Sequence, residues 1–262
     1  MDQSKFEAPA ISSNTRDLLF VVMTCVAGSV DALSVFGLGG VFTSLLSGNT
    51  ILLAAYLVQG HSTRALLGIF VFVGYLPGEA LATRLLRQEK RNKLEMTNRV
   101  IQTLGIEAIP LLALVVGTYF IHDYSSFNIG AVTVVFLAAF SMGIQYRCAK
   151  QVNRIGVITT MITGTLSSLV SRLVDRGEAT SPDLKSVGST AGSLETKHEP
   201  RHPSETTIFL ASVWAGYFVG AASSVAVLTY VSRTAAATIP LVLILIVVAY
   251  AGAKLKQRTR DT

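Results

Sequence analysis

Hydrophobic residues gather into eight runs along the chain, at 18–36, 41–58, 65–82, 100–121, 128–146, 155–174, 207–231 and 238–253. Several approach or exceed the ~20 apolar residues that a helix needs to cross a ~30 Å hydrocarbon core. The pattern predicts an all-α, polytopic integral membrane protein. Half of the 262 residues are hydrophobic, 15% are charged and the mean hydropathy is +0.52, a balance foreign to a soluble domain of this size. The opening "MDQSKFEAPAISSNTRD" lacks the basic-then-apolar order of a signal peptide, so the first run is expected to stay as a membrane anchor. The stretch 175–206 is rich in Ser, Thr, Gly, Pro and charge. It cannot bury a core and reads as a disordered loop. The layout expected is a polar tail at 1–17, a first membrane repeat at 18–121, a second at 122–253 and a basic tail at 254–262.

The division into repeats rests on three matches in the same order. "TSLLSGNT" (43–50) pairs with "TTMITGTL" (159–166), "GYLPGEA" (74–80) with "GYFVGAA" (216–222), and "AIPLLAL" (108–114) with "TIPLVLI" (238–244). A four-segment unit is therefore duplicated. Any one match alone would be weak, because small-residue motifs are common in membrane helices.

Charge chooses between two topologies. If all eight runs cross, the repeats are parallel and the 22 Lys and Arg divide 12 to 10, with no bias toward either side. If segments two and six are re-entrant, six crossings remain as an inverted 3+3 repeat. Then 20 of the 22 fall on one side, and only Arg64 and Arg233 face the other. The positive-inside rule favours this arrangement and makes the crowded side, with both termini, the basic linkers and loop 175–206, cytoplasmic. The re-entrant turns are placed at Ser47-Gly48-Asn49-Thr50 and at Thr163-Gly164-Thr165. Non-helical backbone survives at membrane depth only when buried in protein or lining a wet cavity. The rival reading makes Ser-Gly-Asn a packing notch in an ordinary crossing helix.

Candidate chemistry follows from depth. Asp31, in "VAGSVDALSVFGLGG", is an acid well inside the first run, where a carboxylate faces a bundle interior or a cavity. Its structural alternative is a helix cap. Gln145 and Tyr146 occupy the equivalent region of the second repeat. With Ser47, Gly48, Asn49, Thr50, Thr163, Gly164 and Thr165 they make the expected solute or ion pathway. Glu107, in "TLGIEAIP", reads as lying in a turn into its helix, either as a second buried acid or at the interface. Glu79 reads as pairing with Arg84, and Tyr75 and Tyr217, at matched GYxxG positions, as packing residues.

The four histidines lie in links or in the polar loop, and the two cysteines, Cys25 and Cys148, make no metal or disulfide spacing. No nucleophile–base pair and no nucleotide or metalloprotease motif occurs. The expectation is a protein that is not an enzyme, takes no cofactor or metal and binds no nucleic acid. Its partners are the lipid bilayer and a small solute, and a homo-oligomer fits the pattern. Linker 84–99 reads as a cytoplasmic charge flank.

"AGSVDALSVFGLGGVFTSLLSGNT" (27–50) and "MGIQYRCAKQVNRIGVITTMITGTL" (142–166) resemble the paired signatures of the YoaK-like family of uncharacterised transmembrane proteins. Those signatures read approximately AGfvDA…lg.vFvaNmTGNtv and mGlQna…vrtt.mTGtl, and the resemblance spans the membrane portion. Ser47 departs from the family's usual Thr, and Tyr146 from a usual Asn, which puts one polar partner in doubt. The loop 175–206 looks like an insertion relative to compact bacterial members and gives the chain a fungal look. The resemblance implies an integral membrane protein and no particular substrate. The residues themselves point to a small-solute transporter or permease, with proton coupling through Asp31 as one version. A channel of similar architecture, or a scaffold recruiting partners through loop 175–206, are the alternatives.

Overall fold

The computed structural model describes residues 13–86, 93–121, 124, 128–152 and 203–258. Among these residues are seven helices and no strand: α1 (Ser13–Gly37), α2 (Leu46–Val58), α3 (Ser62–Leu86), α4 (Lys93–Phe120), α5 (Ile129–Val152), α6 (Pro203–Tyr230) and α7 (Arg233–Arg258). All but α2 are long and apolar enough to cross a membrane. With 13 residues, α2 reaches only about 20 Å at 1.5 Å per residue, short of a ~30 Å core.

The helices outrun the apolar runs that predict them. Helix α4 begins at Lys93, so Glu107 sits mid-helix, not in a turn leading into it. The last residues assigned to the polar loop, 203–206, open α6. Segment 155–174, with Thr163, Gly164 and Thr165, lies outside the described residues, as does the loop up to residue 202.

Glycines set how the helices meet. A Cβ on Gly78 or Gly143 would stand 2.2 Å from the carbonyl oxygen of Phe140 or Tyr75, so α3 and α5 touch backbone to backbone. On the other side of the molecule, Gly220 presses on the Cys25 carbonyl and Gly28 on that of Tyr217, joining α6 to α1 in the same way. Without a hydrophobic driving force between helices in lipid, such close approach supplies the dispersion energy. In both pairs the register advances in step: Gly74 meets Phe136 and Gly78 meets Phe140, while Gly216 meets Val21 and Gly220 meets Cys25. Helix α3 thus runs parallel to α5, and α6 parallel to α1. Helix α3 starts near the end of α1, where the Tyr56 hydroxyl donates to the Gly40 carbonyl at 2.7 Å, and so it runs back against α1. Helix α5 therefore runs opposite to α1. Helices α4 and α7 complete the packing, α4 against α5 and α7, and α7 also against α1.

The centre of this bundle is filled by Met23, Leu33, Leu67, Leu111, Met142 and Ile144, all fully buried. Large apolar residues such as Leu76, Ile109, Leu112, Phe218 and Ile246 stand exposed on the outer faces, which a hydrocarbon environment satisfies and water does not. Arg64, at the start of α3, shares the end of the molecule with Arg233, whose guanidinium lies 4.6 Å from the Tyr124 ring centroid.

Candidate functional site

After α1 ends at Gly37, residues 38–45 are not helical, and the chain turns through Gly39 (φ 109°) and Gly40 (φ 81°). These left-handed values are open to glycine at no steric cost. The strand-free segment then runs back into the bundle to the depth of Asp31, and α2 carries it out again to Gly60 (φ 74°). The break therefore lies at 38–45. Ser47, Gly48, Asn49 and Thr50 form the first turn of α2, which corrects their placement at the turn itself.

Asp31 is the reason the segment stays at depth. Its Oδ1 accepts from the Thr43 backbone N–H at 2.9 Å, the Ser44 N–H at 2.8 Å and the Thr43 hydroxyl at 3.2 Å. Its Oδ2 accepts from the Ser44 hydroxyl and, at 2.9 Å, from the Tyr217 hydroxyl. Because the single Thr43 proton goes to Asp31, Ser34 Oγ donates to Thr43 Oγ1 at 3.5 Å. Five donors saturate a carboxylate, which has about four lone-pair sites and donates nothing when ionised. Two of the five are backbone amides that the break would leave orphaned in an apolar interior. The carboxylate and the break thus satisfy each other, and the fifth donor, Tyr217, arrives from the second half of the chain.

The remaining candidates are placed differently. Asn49 is fully buried and donates from Nδ2 to the Gly68 carbonyl of α3 at 3.0 Å, while its Oδ1 has no partner among the described residues. Thr50 is exposed and bonds back to the Leu46 carbonyl at 2.9 Å, and it is not among the hydrogen-bond partners of Asp31. Gly48 packs against the Phe42 ring. Gln145 is buried and donates from Nε2 to the Met23 carbonyl of α1, with Oε1 unpartnered among the described residues. Tyr146 rests against Tyr75, ring centroids 6.0 Å apart, and takes the Lys150 ammonium over its face at 5.8 Å. Neither Gln145 nor Tyr146 is among the hydrogen-bond partners of Asp31. Tyr75 lies within electrostatic range of Glu79, Tyr146 and Asp31.

The pairing has its own regularity. Gly28 and Gly143 play matched roles against Tyr217 and Tyr75, which puts Asp31 and Tyr146 three residues further on in each. The α1–α6 pair therefore sets a tyrosine against a carboxylate, and the α3–α5 pair sets a tyrosine against a tyrosine. Sequence reasoning missed Thr43, Ser44 and Tyr217 as partners of Asp31. The matched GYxxG motifs flagged the tyrosine position, but nothing local could show that its hydroxyl reaches a carboxylate 186 residues away. Among the described residues, no three His, Cys, Asp or Glu side chains come together as a metal site.

The sequence model of the family described as "Protein of unknown function (DUF1275)" matches residues 19–251. The chain is 30% identical over 164 residues to "UPF0700 transmembrane protein YoaK" of Bacillus subtilis (strain 168), covering 62% of this chain and 68% of that protein. No solved structure matches. With six membrane-length helices among the described residues and a match that spans residues 19–251, this protein is a multi-pass integral membrane protein and belongs to the DUF1275 family.

Proposed function

We propose that this protein is a small-solute transporter or permease, non-enzymatic, in which two inverted three-helix halves move against one another around the Asp31 site. The observation that carries the reading is the broken segment 38–45, pinned at depth by a carboxylate whose donors come from both halves: Thr43 and Ser44 from the first, Tyr217 from the second. Inverted repeats whose broken helices meet near the midplane are a recurring transporter design. The Asp31–Tyr217 contact spans the seam across which such halves would rock. When the seam opens, the carboxylate loses a donor and must take another, from water, a proton or a hydrogen-bond-donating solute. That is the step at which coupling through Asp31 would arise. Asn49 and Gln145, buried with one free amide oxygen each among the described residues, extend the polar path.

The test is flux in proteoliposomes holding the full chain, screened against a panel of small polar solutes under an imposed pH gradient. A carrier gives saturable, gradient-dependent uptake of at least one solute, and Asp31→Asn abolishes it while protein abundance stays near normal. Unsaturable conductance would replace the carrier with a channel of the same architecture. Normal flux in Asp31→Asn would remove the coupling role.

A further inference from the structure

A second acid lies in the bundle, and its surroundings are the opposite of those of Asp31. Glu107 sits mid-helix in α4, is fully buried, and neither Oε1 nor Oε2 has a hydrogen-bond partner among the described residues. Helix α4 packs against α3, α5 and α7. On α5, the buried Cys148 thiol lies within electrostatic range of Glu107, and Arg147 within range of that thiol. Helix α7 carries no titratable side chain between Arg233 and Tyr250. The titratable groups in the middle of α3, Tyr75 and Glu79, interact with each other and toward Tyr146 and Asp31. No described cation forms an ion pair with Glu107.

We infer that Glu107 is an exchangeable proton site of the membrane interior, occupied by a proton in the state seen here. An ionised carboxylate without donors is among the costliest groups to place in an apolar interior, and neutralisation removes that cost. Asp31 shows how this fold satisfies a buried carboxylate: five donors, two of them backbone amides. Glu107 has none. The two acids sit in contrasting environments, one surrounded by donors and one without them among the described residues, and it is the second that would hold and release a proton within the bundle. Release breaks the O–H bond and passes the proton to water admitted at the α4–α5–α7 seam. Uptake reverses it, and no electron moves. The inference goes beyond the transport reading and does not need a solute to be tested.

The experiment is infrared difference spectroscopy on the purified full-length protein in lipid, with glutamate carboxyls isotopically labelled and bulk pH stepped as the perturbation. The expected result is a protonated-carboxyl C=O band at the high frequency of a weakly hydrogen-bonded acid. It should be glutamate-derived, lost completely in Glu107→Gln and retained in Asp31→Asn. Persistence of that band in Glu107→Gln overturns the proposal, as does loss of an ionised carboxylate band instead, which would mean that Glu107 is an anion paired by another part of the chain. If Glu107→Gln does not accumulate, Glu107→Asp keeps a carboxyl with different reach, and its band must shift and lose the glutamate label. An unchanged labelled band would again overturn it.

Discussion

At the scale of single residues, the site is a balance between a buried charge and the donors that satisfy it. A hydrogen bond to a charged group contributes about 1.5–3 kcal/mol, against an average of about 0.6 kcal/mol for neutral side-chain bonds between membrane helices. Tyr217→Phe, which removes one donor to Asp31 and little volume, should therefore lower the thermal unfolding midpoint in nanodiscs clearly. Tyr75→Phe, whose ring packs on Tyr146, should lower it less. Equal shifts would mean that the Tyr217 hydroxyl contributes nothing special. Asp31→Ala should be worse than Asp31→Asn. The amide can still accept from some of the five donors, whereas alanine leaves the Thr43 and Ser44 amides unpaired in the bundle. Depth alone marked Asp31 as important in the sequence, because a carboxylate inside an apolar run is rare for a physical reason. Its partners were not legible, since hydrogen bonds across 12 and 186 residues depend on how the helices pack and leave no local pattern.

At the scale of elements, length and composition carried most of the information. The six membrane-length helices among the described residues follow from runs of apolar residues, and α2 was marked as exceptional by its polar SGNT. The position of the break was misread because Ser, Gly and Asn are all poor helix-interior residues, yet here they form the first turn of α2. The true break begins at Gly39 and Gly40, which alone adopt left-handed backbone between α1 and α2. Gly40→Ala should accordingly be more damaging than Gly48→Ala, because Gly48 has ordinary helical backbone and only side chains, the Phe42 ring and Leu45 Cβ, beside it. Folded yield in membranes would rank the two, and the reverse order would contradict the placement of the break. Where helices touch backbone to backbone, the cost is steric. Gly220→Leu or Gly78→Leu puts a side chain where a carbonyl oxygen already sits at about 2 Å. Core overpacking costs typically about 1–3 kcal/mol, and backbone cannot repack as a side chain can, so both variants should fail to yield folded protein. Gly105→Leu, with nothing within 4 Å of its Cβ, should fold. Fluorescence-detected size exclusion separates the three.

For the whole molecule, the duplicated motifs and the uneven charge already pointed to two halves of opposite direction. The glycine registers show the helix directions alone, with α3 parallel to α5 and α6 parallel to α1. Among the described residues, Arg64 and Arg233 stand at the starts of α3 and α7 and share one end, while the α5 and α7 C-termini, with Lys150 and Lys254, lie at the other. What was not legible was the asymmetry of the centre, a carboxylate at Asp31 answered by the tyrosine hydroxyl of Tyr217 where the α3–α5 pair sets two tyrosines together, because matched glycine contacts fix the backbones and not the side chains beside them. The account stands on α2 returning to the face it entered from. The direct measurement places single cysteines at Gly60 and at Gln257, in a chain whose Cys25 and Cys148 are replaced, and labels oriented vesicles from one side with an impermeant maleimide. The account predicts that only one of the two positions is labelled from a given side. Labelling of both from the same side would mean that the segment containing α2 crosses the membrane, and would contradict the inverted arrangement on which the site depends.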